Sequence, residues 1–366
     1  MSDSLDFEAL AAAGIANPRE RADLLKYLDG FGFTVEEMAE AESRGRLFGL
    51  AGDVLQWSGR PTYTLQSAAE ALELPVEEVE RAWALLGLTA AGRDVPMLSQ
   101  ADVDALGTWI AFRAVVGEDG ASGLLRVLGA TMSRLAEAES SVIRAGMPDI
   151  QMNHTHDELA TAQAYRTVAE FIPRLSALMD TVHRHHLISA RSYFEGVVQD
   201  SSASVTCGVG FADLSGFTAL TQTLTPAELS ELLNEFGAAV ADVVHADGGR
   251  VVKFIGDAVM WVSPVPERLV QAAVDLVDHP TAREADIQVR AGLAYGTVLA
   301  INGDYFGNPV NLAARLAASA QPGQILADEA LQQKLPDRPA VVHGPLSLKG
   351  FEEPVTAYDL HGGTLD

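Results

Sequence analysis

Two carboxylates at the ends of neighbouring apolar runs are the first residues in this chain whose placement suggests chemistry. Asp213 closes the run Ser204–Ala212, within Phe211-Ala-Asp-Leu-Ser-Gly-Phe-Thr218, and Asp257 sits at the Gly256-Asp257 turn of Lys253-Phe-Ile-Gly-Asp-Ala-Val-Met260. If the runs are adjacent strands, the carboxylates converge at one edge of a sheet. A pair of hard oxygen donors there suits Mg²⁺ or Mn²⁺ ions on a triphosphate, because the cations offset phosphate charge. Gly216 lets the backbone after Asp213 approach phosphate closely. Taken singly, an aspartate in a hairpin turn is more often only a turn former.

A second constellation lies in Asp304-Tyr-Phe-Gly-Asn-Pro-Val-Asn-Leu-Ala-Ala-Arg315. Asn308-Pro309 reads as a helix start, so Asn311 and Arg315 fall at i and i+4 on one helical face. An amide beside a guanidinium can hold a phosphoryl group and its attacking oxygen as charge develops. Read alone, this helix is a surface with one exposed arginine.

The elements that must position these groups follow from periodicity. Ser204–Ala212 reads as a strand. A helix starts at Thr225-Pro226-Ala227-Glu228, where Thr225 caps, Pro226 takes the first helical position and Glu228 closes a capping box. Its apolar face is Leu229, Leu232, Leu233, Phe236, Val240, Val243 and Val244. Arg250–Ile255 and Ala258–Val262 form a hairpin, Glu267–Val277 a helix and Ile287–Tyr295 a strand. This β-α-β-β-α-β order predicts a ferredoxin-like α+β sandwich.

The segments FADLSGFT, VVKFIGDAVM and GDYFGNPVNLAAR together resemble the signatures of class III adenylyl and guanylyl cyclases, in the right order and over roughly residues 204–360. The resemblance implies that Asp213 and Asp257 bind two Mg²⁺ or Mn²⁺ ions per site. It implies that Lys253 and Asp304 read the adenine, that Asn311 orients the ribose and that Arg315 stabilises the pentavalent phosphorus. Lys349, in Leu348-Lys-Gly-Phe-Glu-Glu-Pro354, resembles a further phosphate-contacting lysine on a shorter match. A lysine donor and an aspartate acceptor complement N1 and N6 of adenine; guanine presents the reverse polarity and would leave buried groups unpaired. The implied activity is conversion of ATP to cyclic AMP and pyrophosphate in a head-to-tail homodimer, with a guanylyl or dual-specificity cyclase as the alternative. The Gly-Gly-(Asp/Glu)-Glu-Phe signature of diguanylate cyclases does not occur in the sequence.

Residues 1–195 read as helix almost throughout, in stretches such as Glu20–Leu28, Val35–Leu50, Leu65–Leu72, Val76–Leu86, Gln100–Val115 and Gly123–Ile143, with a longer pattern from Glu158 to about Phe194 interrupted at Pro173. Residues 196–204 are small and polar and read as a linker to a catalytic domain at 205–366. The helical region is similar to the regulatory domain of mycobacterial adenylyl cyclases whose activity rises at acid pH. That implies an autoinhibitory or gating role, with a small molecule or lipid as a candidate regulator. His183, His185 and His186 precede the linker and are candidate pH-responsive residues, since imidazole changes charge near neutrality. His154 and His156 form a second candidate pair. Solvent-facing helix histidines with no such role fit the same pattern.

Residues 60–88 look like a helix-turn-helix joined at Leu74-Pro75, which raises a transcriptional regulator as a reading from another class. Its second helix carries Glu77, Glu78 and Glu80 against a single Arg81, so it lacks the cations that phosphate requires. The rest of the chain agrees. Its net charge is −25, with 30 acidic and 16 basic side chains over residues 1–200 and 20 and 9 over residues 201–366. Neither half offers a footprint for nucleic acid or anionic lipid. The single cysteine, Cys207, lies in a strand-like run and reads as a small buried hydrophobe. No apolar run is long enough to span a membrane, and the N-terminus lacks a signal-peptide pattern, which predicts a cytoplasmic location.

Overall fold

The computed structural model describes residues 5–90, 92–194, 203–280 and 288–361. It divides into two compact units, Met1–His186 and Leu187–Asp366. Of the expected linker at 196–204, residues 196–202 lie outside the described residues.

The first unit is helical and has two apolar clusters. Helices α1 (Phe7–Ala12), α2 (Ala22–Asp29), α3 (Val35–Ser43) and α4 (Leu50–Gln56) surround Leu10, Leu24, Leu25, Leu28, Met38 and Ala51. The single helix expected over Val35–Leu50 is broken, because Gly45 takes a left-handed conformation (φ 67°) that ends α3 before a short 3-10 turn at Leu47–Gly49. The second cluster joins α5 (Leu65–Leu72), α6 (Val76–Leu85), α7 (Gln100–Val116) and α8 (Glu118–Gly146) around Leu65, Ala69, Val79, Ala82, Leu106 and Leu125. Helices α5 and α7 each start at a capping box, Thr64 with Ser67 and Ser99 with Asp102. The carboxylates of α6 are held inside the unit: Glu77 and Glu80 by Arg93, and Glu78 by Arg113 at 2.9 Å.

A short helix α9 (Met152–Thr155) leads to α10 (Glu158–Ala169), which turns back onto the first cluster, where Ala162 is fully buried. Arg21 fastens it there, donating to Glu158 Oε2 on α10 and to Glu42 Oε1 on α3, each at 2.6 Å. Its hydrogen bond holds the Glu42 carboxyl below the usual carboxylate range. Helix α11 (Ile172–Phe194) follows, with Pro173 in its first turn, so the expected interruption is a helix boundary.

The second unit is built on a mixed sheet of order β2-β3-β1-β4-β6-β8-β7, with β5 paired to β4. Its strands are β1 (Ser204–Leu214), β2 (Arg250–Ile255), β3 (Ala258–Ser263), β4 (Val289–Ile301), β5 (Asp304–Phe306), β6 (Ile325–Asp328), β7 (Val341–Leu346) and β8 (Val355–Asp359). A single turn, α12 (Phe217–Leu220), follows β1; α13 (Pro226–Ala246) lies between β1 and β2, and α14 (Pro266–Val277) between β3 and β4. Helix α15 (Asn308–Ser319) follows β5 and α16 (Glu329–Lys334) follows β6. The β-α-β-β-α-β order is present, and Thr225 and Glu228 form the expected capping box at α13.

Strand alternation sorts the core into two layers. Val259 and Trp261 face α13 and α14, together with Val240, Val244, Leu269 and Leu276. Val205, Cys207, Val209, Phe211, Met260 and Val262 face the opposite way, toward Leu312 and Leu316 of α15. Gly210 makes room for the Trp261 ring, since a Cβ there would lie 2.3 Å from it. Cys207 is 1% exposed, and burial pushes its thiol up to about 12.

Candidate active site

The metal-type carboxylates are brought together by strand register. Asp213 sits opposite Ala258 on β3 and opposite Arg290 on β4, near the end of β1. Asp257 occupies the adjacent β2–β3 turn, where Gly256 takes φ 64°. Burial, and then a hydrogen bond with Asp213, push the Asp257 carboxyl up to about 6. Two carboxylates close enough to share a proton form an oxygen-donor pair that a divalent cation satisfies better than a proton does. The residues present therefore fit the expected metal. Gly216 has φ 79° with open space where a Cβ would stand, as the close approach of a phosphate requires.

Arg290 completes this edge and was not singled out in the sequence. Its Nη2 donates to Asp213 Oδ2 at 2.7 Å. Its Nη1 donates to the carbonyls of Ala318 and Ala320 at the end of α15, at 3.3 and 3.5 Å. Only the cross-strand pairing of β1 with β4 reveals it, and that register is not visible in either strand alone.

Lys253 and Asp304 form an ion pair between β2 and β5, although 51 residues separate them. The backbone N–H of Tyr305 donates to Asp304 Oδ1 at 2.8 Å and fixes the carboxylate plane. Strand β5 itself depends on a two-residue hairpin, Asn302-Gly303, with φ 54° and 77°. Asn-Gly is the favoured pair for such a turn and was the available signal for β5, which the sequence reading did not place. The donor and acceptor thus stand side by side before any base arrives.

Helix α15 begins at Gly307-Asn308-Pro309, as the sequence predicts. Leu312, Ala313, Leu316 and Ala317 are buried against the sheet, which turns Asn311 and Arg315 outward on the exposed side. The helix lies so close to β4 that a Cβ on Gly292 would stand 2.1 Å from Ala317 N and 2.3 Å from Ala313 O. Lys349 is exposed in the turn between β7 and β8. In the helical unit His183, His185 and His186 are all exposed on α11, where Arg184 pairs with Asp180 at 2.8 Å. His154 meets Asp149 at 2.9 Å, and His156 has φ 52°.

The fold and this arrangement of residues define a nucleotidyl cyclase architecture. Residues 199–362 match the adenylate and guanylate cyclase catalytic domain, and residues 7–190 match the adenylate cyclase regulatory domain. The chain belongs to the class III cyclase family, in the branch that joins this regulatory domain to the catalytic one. It is 75% identical to an uncharacterized Mycobacterium tuberculosis protein over 99% of this chain and 96% of that one. An adenylate cyclase of Streptomyces coelicolor is 32% identical over 75% of this chain and 71% of its own length. A pH-sensitive adenylate cyclase of M. tuberculosis is 28% identical over 66% and 62% respectively. Among the described residues no helix is long and apolar enough to cross a membrane.

Proposed function

We propose that this chain is an adenylate cyclase that converts ATP to 3′,5′-cyclic AMP and pyrophosphate. The observation that carries the reading is the Lys253–Asp304 pair, a donor beside an acceptor in the order that adenine presents as acceptor and donor. The named adenylate cyclases among its relatives support the same choice. Lys253 donates to N1 and Asp304 accepts from the N6 amine. Asn311 orients the ribose so that its 3′-oxygen lies in line with the α-phosphorus, and Arg315 stabilises the charge that gathers there in the transition state. Lys349 contacts the phosphates. Asp213 and Asp257 would hold two Mg²⁺ or Mn²⁺ ions, which neutralise the triphosphate and favour departure of pyrophosphate.

The exposed placement of Asn311 and Arg315 supports a head-to-tail homodimer, in which Lys253, Asp304, Asn311 and Arg315 of one subunit face the metal carboxylates of the other. The helical unit gates the catalytic unit, and acid pH is the proposed stimulus. The test of the base assignment is turnover of ATP against GTP with Mn²⁺. The wild type should strongly prefer ATP, and Lys253→Glu combined with Asp304→Cys should erode that preference. Equal use of GTP by the wild type would refute the assignment.

A further inference from the structure

Ser215 lies in the turn after β1, two residues beyond Asp213 and directly before Gly216. Its backbone N–H donates to the Gln288 carbonyl at 2.8 Å, which ties the residue to the edge where β4 enters the sheet. Its hydroxyl is buried and has no hydrogen-bond partner among the described residues. The fully buried serines are all bonded: Ser99 to Asp102 at 2.9 Å, Ser263 to the Val265 carbonyl at 3.1 Å and Ser122 to Glu118 at 3.3 Å. A buried hydroxyl left unpaired destabilises the fold, and alanine at this position would avoid the cost. The turn around it is the one that admits a phosphate, since Gly216 has φ 79° and open space at its Cβ position. A lysine or arginine at 215 would pair with Asp213 and compete with cations for it. A hydroxyl donates to a phosphoryl oxygen without that competition.

We propose that Ser215 is a phosphate-binding residue, whose hydroxyl is unpaired in the free protein and donates to a phosphoryl oxygen of the bound nucleotide. The inference rests on the reading of the site as a nucleotide cyclase. A change of χ1 rotamer turns Oγ while the bond to Gln288 holds the backbone in place. Binding then gives the hydroxyl the partner that the fold withholds. The desolvation cost carried by the free protein is recovered in the complex, where the acceptor is charged and the hydrogen bond correspondingly strong.

The experiment uses the full-length protein and 3′-deoxy-ATP, which lacks the attacking hydroxyl, with Mn²⁺. Affinity is measured by calorimetry, and the unfolding temperature of the free protein is measured in parallel. Ser215→Ala should bind the nucleotide more weakly by roughly 10- to 100-fold, the range for a hydrogen bond to a charged group. The same substitution should raise the unfolding temperature of the free catalytic unit by about 2–4 °C, because the unpaired hydroxyl is gone. Ser215→Cys, close in volume and a weak donor, should lose a similar affinity, and it decides the matter if the alanine variant does not fold. A hydroxyl that braces the turn through a trapped water predicts the reverse, a lower unfolding temperature. Unchanged affinity in the variant, or an unfolding temperature at or below that of the wild type, overturns the proposal. Mn²⁺ without nucleotide should bind wild type and variant alike; a difference there would assign the hydroxyl to the metal and overturn the phosphate contact. Wild-type protein that does not bind 3′-deoxy-ATP overturns the nucleotide reading beneath the proposal.

Discussion

Gly292→Ala perturbs the site by one methyl group without touching a residue that meets the nucleotide. The new Cβ would stand 2.1 Å from Ala317 N, 2.3 Å from Ala313 O and 2.8 Å from Ala317 Cα, all on the backbone of α15. Nonbonded heavy atoms ordinarily sit at about 3.5–4.0 Å, so α15 must retreat by roughly 1 Å or more. Side-chain rotation cannot relieve the clash, because the contacts are to a helical hydrogen-bonded turn. Overpacking of this kind costs about 1–3 kcal/mol, and a 1 Å misplacement of catalytic groups costs about 10²-fold in rate. The retreat carries Asn311 and Arg315 with it and leaves Lys253 and Asp304 on their own strands. The loss should therefore fall on kcat, with KM for ATP nearly unchanged, alongside a lower unfolding temperature for the catalytic unit. Gly237→Ala in α13 is the matched control: among the described residues no atom beyond the adjoining stretch of its own helix lies within 4 Å of its Cβ position, and alanine there should stabilise by about 0.5–1 kcal/mol. Wild-type turnover and unfolding temperature in Gly292→Ala would refute the argument that this close approach sets the position of α15.

Three further outcomes can be checked. Asp257→Ala and Arg315→Ala should each be nearly inactive alone and regain activity when mixed, because a heterodimer rebuilds one intact site; no recovery under proven subunit exchange would place the whole site within one chain. Asp328, 6% exposed at the start of α16, has its carboxyl pushed up to about 6 by burial, despite accepting from the N–H groups of Leu331 and Tyr295. The folded chain thus holds this proton where the unfolded chain releases it, so this residue's contribution to stability falls as pH rises from about 4 to 6, by at most about 3 kcal/mol. Asp328→Asn should flatten that part of the unfolding profile, and a slope identical to wild type would dismiss the residue as its source. Finally, mild acid should activate the full chain more steeply than residues 201–366 alone, and replacing His183, His185 and His186 with Gln should reduce the difference; an unchanged profile would remove this cluster as the sensor.

The sequence was most legible where chemistry and local conformation coincide. Thr225, Pro226 and Glu228 announced the start of α13, and the Asn308-Pro309 start put Asn311 and Arg315 on one face. Such signals act within one turn of helix and need no tertiary information. The break at Gly45 was harder to read, because the apolar pattern of Val35–Leu50 continues across it while the backbone does not. Arg290 and the nearness of Gly292 to α15 were beyond reach, since both depend on which strands pair and how closely a helix lies on them. The Lys253–Asp304 pair falls between these cases: resemblance named both residues, and the geometry then supplied the hairpin that brings Asp304 into place.

The return of α10 onto the first helices has a consequence for how the chain is made. Leu24, Leu25, Leu28 and Ala51 belong to a cluster that Ala162 completes, and Arg21 finds Glu158 more than a hundred residues downstream. A ribosome adding about 5–20 residues per second takes roughly 6–20 s to travel from the end of α4 to the end of α10. Through that interval the first helices have been synthesised while the element that seals them does not yet exist. The helices of the second cluster emerge in the meantime and can pack among themselves, since α5 to α8 are contiguous. The order of completion therefore inverts the order of synthesis: α1 to α4 are made before α5 to α8 and wait longer, with their apolar side open to chaperones.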